Sequence, residues 1–186
     1  MEQKTAIVIG ASTGIGAATA EALAQQYKKI AITSFRHPEK LKEVQQKILA
    51  QDTDCYAETG DAGDFIFVKQ FIEHVTEQFG EKIDLLVNNA GISYVGLLTD
   101  MDEMDWKRII DTNITSVFNT CRQVVPYMVH AHKGRIINIS SVWGNVGASC
   151  EVAYSATKGA VNAFTKALAK ELAPSGIAVN AIAFGA

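Results

Sequence analysis

The chain is short of cysteine, of long apolar runs and of any excess of one charge, and each shortage removes a class of protein. Its three cysteines, Cys55, Cys121 and Cys150, lie far apart and form no CxxC pair. That excludes a disulfide framework and a thiolate zinc site, and it fits a reducing compartment. A net charge of −3 with the basic residues scattered gives no general attraction to phosphate backbones, so nucleic acid is not expected as a partner. Met1-Glu2-Gln3-Lys4-Thr5 leads into a short apolar stretch that ends at Gly10. An export signal needs a longer apolar region with a cleavage site, and a membrane span needs about 20 apolar residues. The expectation is a cytoplasmic protein without a membrane partner. The 186 residues, 48% of them hydrophobic, are enough for one domain with a substantial core.

What is present is alternation. Thr5–Ile9, Lys29–Thr33, Cys55–Thr59, Asp84–Val87, Arg135–Ile139 and Ile177–Ile182 read as short strands rich in β-branched residues and buried on both faces. Between them Gly14–Gln26, Glu39–Ala50, Asp64–Phe79, Asp102–His130 and Val152–Leu172 have helical spacing. Pro38 suits the first turn of the second helix, and Asp100 with Glu103 has the form of a capping box. Repeated strand–helix units imply right-handed crossovers and a parallel sheet covered on both sides. The predicted fold is α/β, a doubly wound parallel sheet in three α/β/α layers. No linker, fixed-period repeat or composition break divides residues 1–186, so a single domain is expected.

The first strand runs into Gly10-Ala11-Ser12-Thr13-Gly14-Ile15-Gly16 and then a helix. Such a turn cradles a pyrophosphate, because glycine permits positive φ and close backbone approach while the helix start offers free N–H groups. The spacing is GxxxGxG and lacks the GK[ST] ending of a P-loop, which disfavours an NTPase. Tyr154 and Lys158 are four apart and share a face if helical.

With these residues in view, the sequence resembles the short-chain dehydrogenase/reductase family, and in general look the 3-oxoacyl-(acyl-carrier-protein) reductases within it. The family's glycine motif has this spacing. Asp61-Ala62 matches its adenine-contacting position, and Asn88-Asn89-Ala90-Gly91 matches its NNAG motif beside the cofactor ribose. Asn113, Ser141, Tyr154 and Lys158 match its catalytic set, and the likeness runs from Lys4 to Ala183. The resemblance implies a Rossmann fold and hydride transfer between NADP(H) and a carbonyl or secondary alcohol. The implied substrate is a 3-oxoacyl thioester on an acyl carrier protein; a sugar, steroid or small ketone is the alternative. Tyr154 would be the general acid, Ser141 a hydrogen-bond donor to the carbonyl oxygen, and Lys158 the ribose ligand. Asn113 would hold a water. An ammonium about 4 Å from the phenol would lower the tyrosine pKa by as much as about 3 units before desolvation. Ser140 is the neighbouring alternative to Ser141.

NAD enzymes place an acid at the end of the second strand. Here Ser34, Phe35 and Arg36 stand there. Arg36 can meet a 2′-phosphate bidentately, so NADP(H) is favoured over NAD(H). The cofactor-binding set is therefore Gly10, Ser12, Thr13, Gly14, Ile15, Gly16, Ser34, Arg36, Asp61, Ala62, Asn89, Ala90 and Gly91, with Tyr154 and Lys158. No metal is expected, and His130-Ala131-His132 reads as the turn that ends a helix. Cys150 reads as a small buried packing residue, with a place lining the substrate pocket as the alternative. Relatives continue past Ala183 with Pro-Gly, a segment that covers the substrate and a seventh strand, whereas this chain has Phe184-Gly185-Ala186. The expectation is a domain without that lid and last strand. Apolar Phe118, Val125, Met128, Phe164 and Leu168 on the last two helices imply a homodimer or homotetramer. Retention of both Tyr154 and Lys158 disfavours a nucleotide sensor that has lost catalysis, and a methyltransferase would need no such pair.

Overall fold

The computed structural model describes residues 3–185. Six strands, β1 (Thr5–Ile9), β2 (Lys29–Ser34), β3 (Asp54–Thr59), β4 (Leu85–Asn88), β5 (Gly134–Ser141) and β6 (Ile177–Phe184), form one sheet in the order β3-β2-β1-β4-β5-β6. All five pairings are parallel. Alternate residues of β1 divide the interior in two. Ile7 and Ile9 join a core with Phe71, Val75, Val124 and Val161; Ala6 and Val8 join one with Ala20, Leu41, Val44 and Ile48. The first core lies under α3 (Phe65–Phe79), α5 (Ser116–Ala131) and α7 (Val152–Leu172), the second under α1 (Gly14–Leu23) and α2 (Pro38–Leu49). This is the three-layer, doubly wound Rossmann arrangement expected from the alternation.

Local departures have physical reasons. The Asp102–His130 segment is not one helix. α4 (Glu103–Ile110) passes through a π-turn at Asp111–Thr115 into α5, while Pro126 sits inside α5 without ending it. The cap of α4 is Asp102, whose carboxylate accepts from Asp105 N at 2.7 Å. Asp100 instead closes a short 3₁₀ turn, so the capping box is corrected. β3 and β6 are the sheet's edges and leave residues partly or fully exposed, where two-faced burial was expected. Phe184 is no turn residue. It pairs with Ser141 in β6, and its carbonyl accepts from Val142 N at 2.9 Å. Cys150 is only half-buried and holds φ +62, so it is not a packing residue. His132 ends α5 in the left-handed conformation, as a terminal turn requires.

In a doubly wound sheet the crevice opens where strand order reverses, outside the carboxyl ends of the strands. Here that point lies between β1 and β4, and a short helix α6 (Trp143–Val146) completes the same end of the sheet.

Candidate active site

The crevice floor is made by close backbone approach. A Cβ on Gly10, which holds φ +81, would meet Ala90 Cα at 2.7 Å; one on Gly16 would overlap the Gly10 carbonyl and the Asn89 amide. Asn89 Nδ2 donates to Gly10 O at 2.7 Å and ties the turn after β4 to the turn after β1. Gly14 holds φ +56 with open space beyond it. α1 then begins at Thr13 with no side-chain cap and no acidic residue in its first turn. Its N-terminal donors and partial positive charge are left for an anion.

A cavity of about 770 Å³ lies over this floor. Of the residues named from sequence, Gly10, Ser12, Thr13, Ile15, Ser34, Arg36, Asp61, Ala62, Asn89, Ala90 and Gly91 line it. Gly14 and Gly16 do not: the first belongs to the loop's outer turn, and the second lies buried beneath it. Ser34 Oγ stands 2.8 Å from both Ser12 Oγ and Arg36 O, which braces the β2 end against the glycine loop. Asp61 Oδ1 accepts from Gly63 N at 2.8 Å. The opposite wall carries Met104, Lys107, Arg108, Asp111 and Thr112. Sequence reasoning missed these, although 104, 107, 108 and 111 have the spacing of one helix face.

Beyond the Gly91 end of the cavity stand the remaining residues. A Cβ on Gly91 would lie 3.5 Å from Lys158 Nζ and 3.6 Å from Asn113 Oδ1, so the cavity and this cluster are contiguous. Asn113, fully buried within the π-turn, clamps Ile92 by accepting from its N–H at 2.8 Å and donating to its carbonyl at 2.9 Å. It also donates to Thr157 Oγ1 at 3.1 Å. Lys158 is 4% exposed. Its ammonium donates to Ile139 O at 2.8 Å and lies 5.5 Å from the Tyr154 ring centroid. Gly144 lets α6 touch the Lys158 backbone: a Cβ there would meet Lys158 C at 2.6 Å. Ser141 Oγ accepts from Trp143 N at 3.2 Å and hydrogen-bonds the Tyr154 phenol, whereas Ser140 Oγ faces the Lys158 carbonyl at 3.3 Å. Of the two serines, Ser141 reaches the tyrosine.

The acid–base balance differs from the expectation. Burial pushes the Tyr154 phenol above its ordinary value and Glu151 adds to this, while the Ser141 hydrogen bond works against it. Lys158 gives the phenol no hydrogen bond here: its ammonium donates to Ile139 O and stands 5.5 Å from the ring centroid. Burial instead brings Lys158 itself down to about 8. Among the described residues no group of three His, Cys, Asp or Glu side chains could hold a metal. No helix there is long and apolar enough to cross a membrane.

A glycine turn at the switch point of a doubly wound sheet, leading to a buried lysine beside a tyrosine and a serine, defines a nucleotide-binding oxidoreductase. The chain belongs to the short chain dehydrogenase family, whose profile matches residues 4–186, and as a member it is an oxidoreductase acting on CH–OH and C=O groups. It is 43% identical over 182 residues to the 3-oxoacyl-(acyl-carrier-protein) reductase FabG of Staphylococcus aureus, covering 98% of this chain and 74% of that protein. Among solved structures, NAD+-bound xylitol dehydrogenase superposes with a TM-score of 0.93 at 33% identity, covering 98% of this chain and 70% of the other. An actinorhodin polyketide ketoreductase with NADPH gives the same four figures.

Proposed function

We propose that this protein reduces a carbonyl to a secondary alcohol with NADP(H), with a 3-oxoacyl thioester as substrate and an acyl carrier protein as its bearer. The observation that carries the reading is the contiguity at Gly91: Gly91 lines the cavity floored by the glycine turn and stands beside Asn113 and Lys158, and Lys158 adjoins Tyr154, whose phenol hydrogen-bonds Ser141. The residues fit a nicotinamide dinucleotide. The uncapped start of α1 suits a pyrophosphate, and the crevice admits backbone approach only because Gly10 and Gly16 lack a Cβ. When bound, the nicotinamide supplies the hydride.

The chain's own residues supply the rest. Tyr154, protonated at neutral pH because its burial opposes ionisation, donates the phenolic proton to the carbonyl oxygen. Ser141 donates a hydrogen bond to the same oxygen as negative charge grows there. Lys158, still largely charged at pH 7, holds the ribose hydroxyls and stabilises the phenolate left behind. Asn113 fixes Ile92 and the π-turn, and on the family resemblance it would hold a water that links Lys158 to solvent.

For NADP(H) over NAD(H), the support is the absence of an acid at the end of β2 together with Arg36. Arg36 is exposed, lines the cavity and has no ion pair among the described residues. For the thioester, the support is the likeness to the Staphylococcus aureus reductase. The exposed Phe118 on α5 is compatible with assembly through that helix, while Met128 is fully buried and faces the sheet. A screen of NADPH oxidation against 3-oxoacyl thioesters, diketones and keto-sugars tests the reading. Turnover of the thioesters above the other classes supports it, and turnover of keto-sugars alone replaces the substrate.

A further inference from the structure

We propose that Arg108 is a second specificity-determining cation for the adenosine 2′-phosphate, acting from α4 while Arg36 acts from the β2–α2 connection. The inference rests on the NADP(H) reading above. Both arginines line the 770 Å³ cavity, and both also line its smaller neighbour of about 450 Å³. The two guanidinium groups, from different elements, therefore stand at the partition between the same two spaces. Both are exposed, and neither has an ion pair or side-chain hydrogen bond among the described residues.

The other charged residues lining the larger cavity are already engaged, His37 with Glu39 at 3.6 Å among them. Lys107 pairs with Asp111 at 2.9 Å, and Asp61 holds Gly63 N. The glycine loop from Gly10 to Gly16 contains no lysine or arginine. Asp105 faces only the smaller space. The cleft beside Arg36 thus presents two guanidinium-bearing side chains without an ion pair among the described residues, with Asp105 lining the smaller space beside them. A phosphate monoester carries a charge of about −1.5 to −2 at neutral pH with three acceptor oxygens. One guanidinium can satisfy two of those oxygens and about half of the charge, and a second matches what remains. A bare 2′-hydroxyl offers neither cation a partner. The pair therefore discriminates between the two nicotinamide cofactors without touching the reacting groups.

The test is equilibrium binding, read by nucleotide fluorescence, of NADPH and NADH to the wild type, Arg36→Ala, Arg108→Ala and Arg108→Lys. Arg108→Ala should weaken NADPH about tenfold, the order expected for one exposed charge-assisted contact, and NADH less than twofold. Arg108→Lys should recover part of the loss, because it keeps the charge without the fork. The NADPH loss should shrink at high salt. A selective NADPH loss in Arg36→Ala with none in Arg108→Ala would overturn this inference and leave the cofactor reading standing. If neither alanine variant changes NADPH relative to NADH, both fail. Arg108 is on the surface, so a thermal melt close to wild type is expected and keeps the comparison interpretable.

Discussion

Lys158→Met should make the protein more stable at neutral pH while abolishing its activity. Burial brings the lysine from 10.5 down to about 8. At about 1.4 kcal/mol per pH unit, this difference corresponds to about 3 kcal/mol. The sign follows from proton binding. Below pH 8 the lysine is protonated in both the folded and the unfolded chain, and the folded state carries the whole desolvation cost. Between pH 8 and 10.5 the folded lysine is neutral while the unfolded one still binds a proton, so stability climbs as pH rises through that window. Methionine keeps most of the volume but forfeits the hydrogen bond to Ile139 O, which costs about 1 kcal/mol. The net gain at pH 7 is therefore about 1–2 kcal/mol. Urea unfolding of both proteins at pH 7 and pH 10 measures it. The advantage of the variant should vanish or reverse by pH 10. An advantage of the wild type that is the same at both pH values would refute the reasoning, since it would mean that the ammonium is not desolvated.

Three further outcomes follow from the contacts described. Gly16→Ala should unfold or markedly destabilise the β1–α1 turn, because its Cβ would overlap the Gly10 carbonyl and Asn89. Gly14→Ala, with φ +56 but open space, should cost only about 1 kcal/mol of strain; thermal melts of the two separate packing from conformation. Asn138→Ala should destabilise by about 3 kcal/mol in urea titration. It interrupts a buried chain in which Thr120 donates to Asn88, Asn88 to Asn138 and Asn138 to Thr165, at 2.7, 2.9 and 2.9 Å. On the proposed assembly through α5, Phe118→Arg should shift sedimentation from dimer to monomer with the fold intact, and no change in mass would contradict that assembly.

How much of the fold and the site is legible in the amino-acid sequence depends on the range of the cause. Val152–Leu172 was readable to the residue, because its apolar spacing is local. The glycine turn, the NNAG stretch and the Tyr154/Lys158 pair were readable because short spacings carry their chemistry. The π-turn was not. It arises where Asn113 reaches Ile92, 21 residues away, and the single residue it adds leaves almost no trace in helical periodicity. Pro126 lies inside α5, and the helical spacing read from the sequence runs through it as the helix does. The exposure of β3 and β6 follows from strand order, which alternation alone does not reveal. The raised pKa of Tyr154 depends on its burial, which a sequence does not state. Arg108 became visible only when α4 was seen to form a cavity wall.

The proposed reaction turns on Tyr154 as the proton donor. The most direct measurement is the kcat/KM of Tyr154→Phe for NADPH-dependent reduction of a 3-oxoacyl thioester, taken beside the NADPH dissociation constant of the same protein. The ring still packs while the phenolic proton is gone, so kcat/KM should fall by at least about a hundredfold, within the range of general acid catalysis, with NADPH affinity changed less than threefold. Retention of more than a tenth of the wild-type kcat/KM would leave a loss below about 1.4 kcal/mol, too small for the proton donor, and would contradict the assignment.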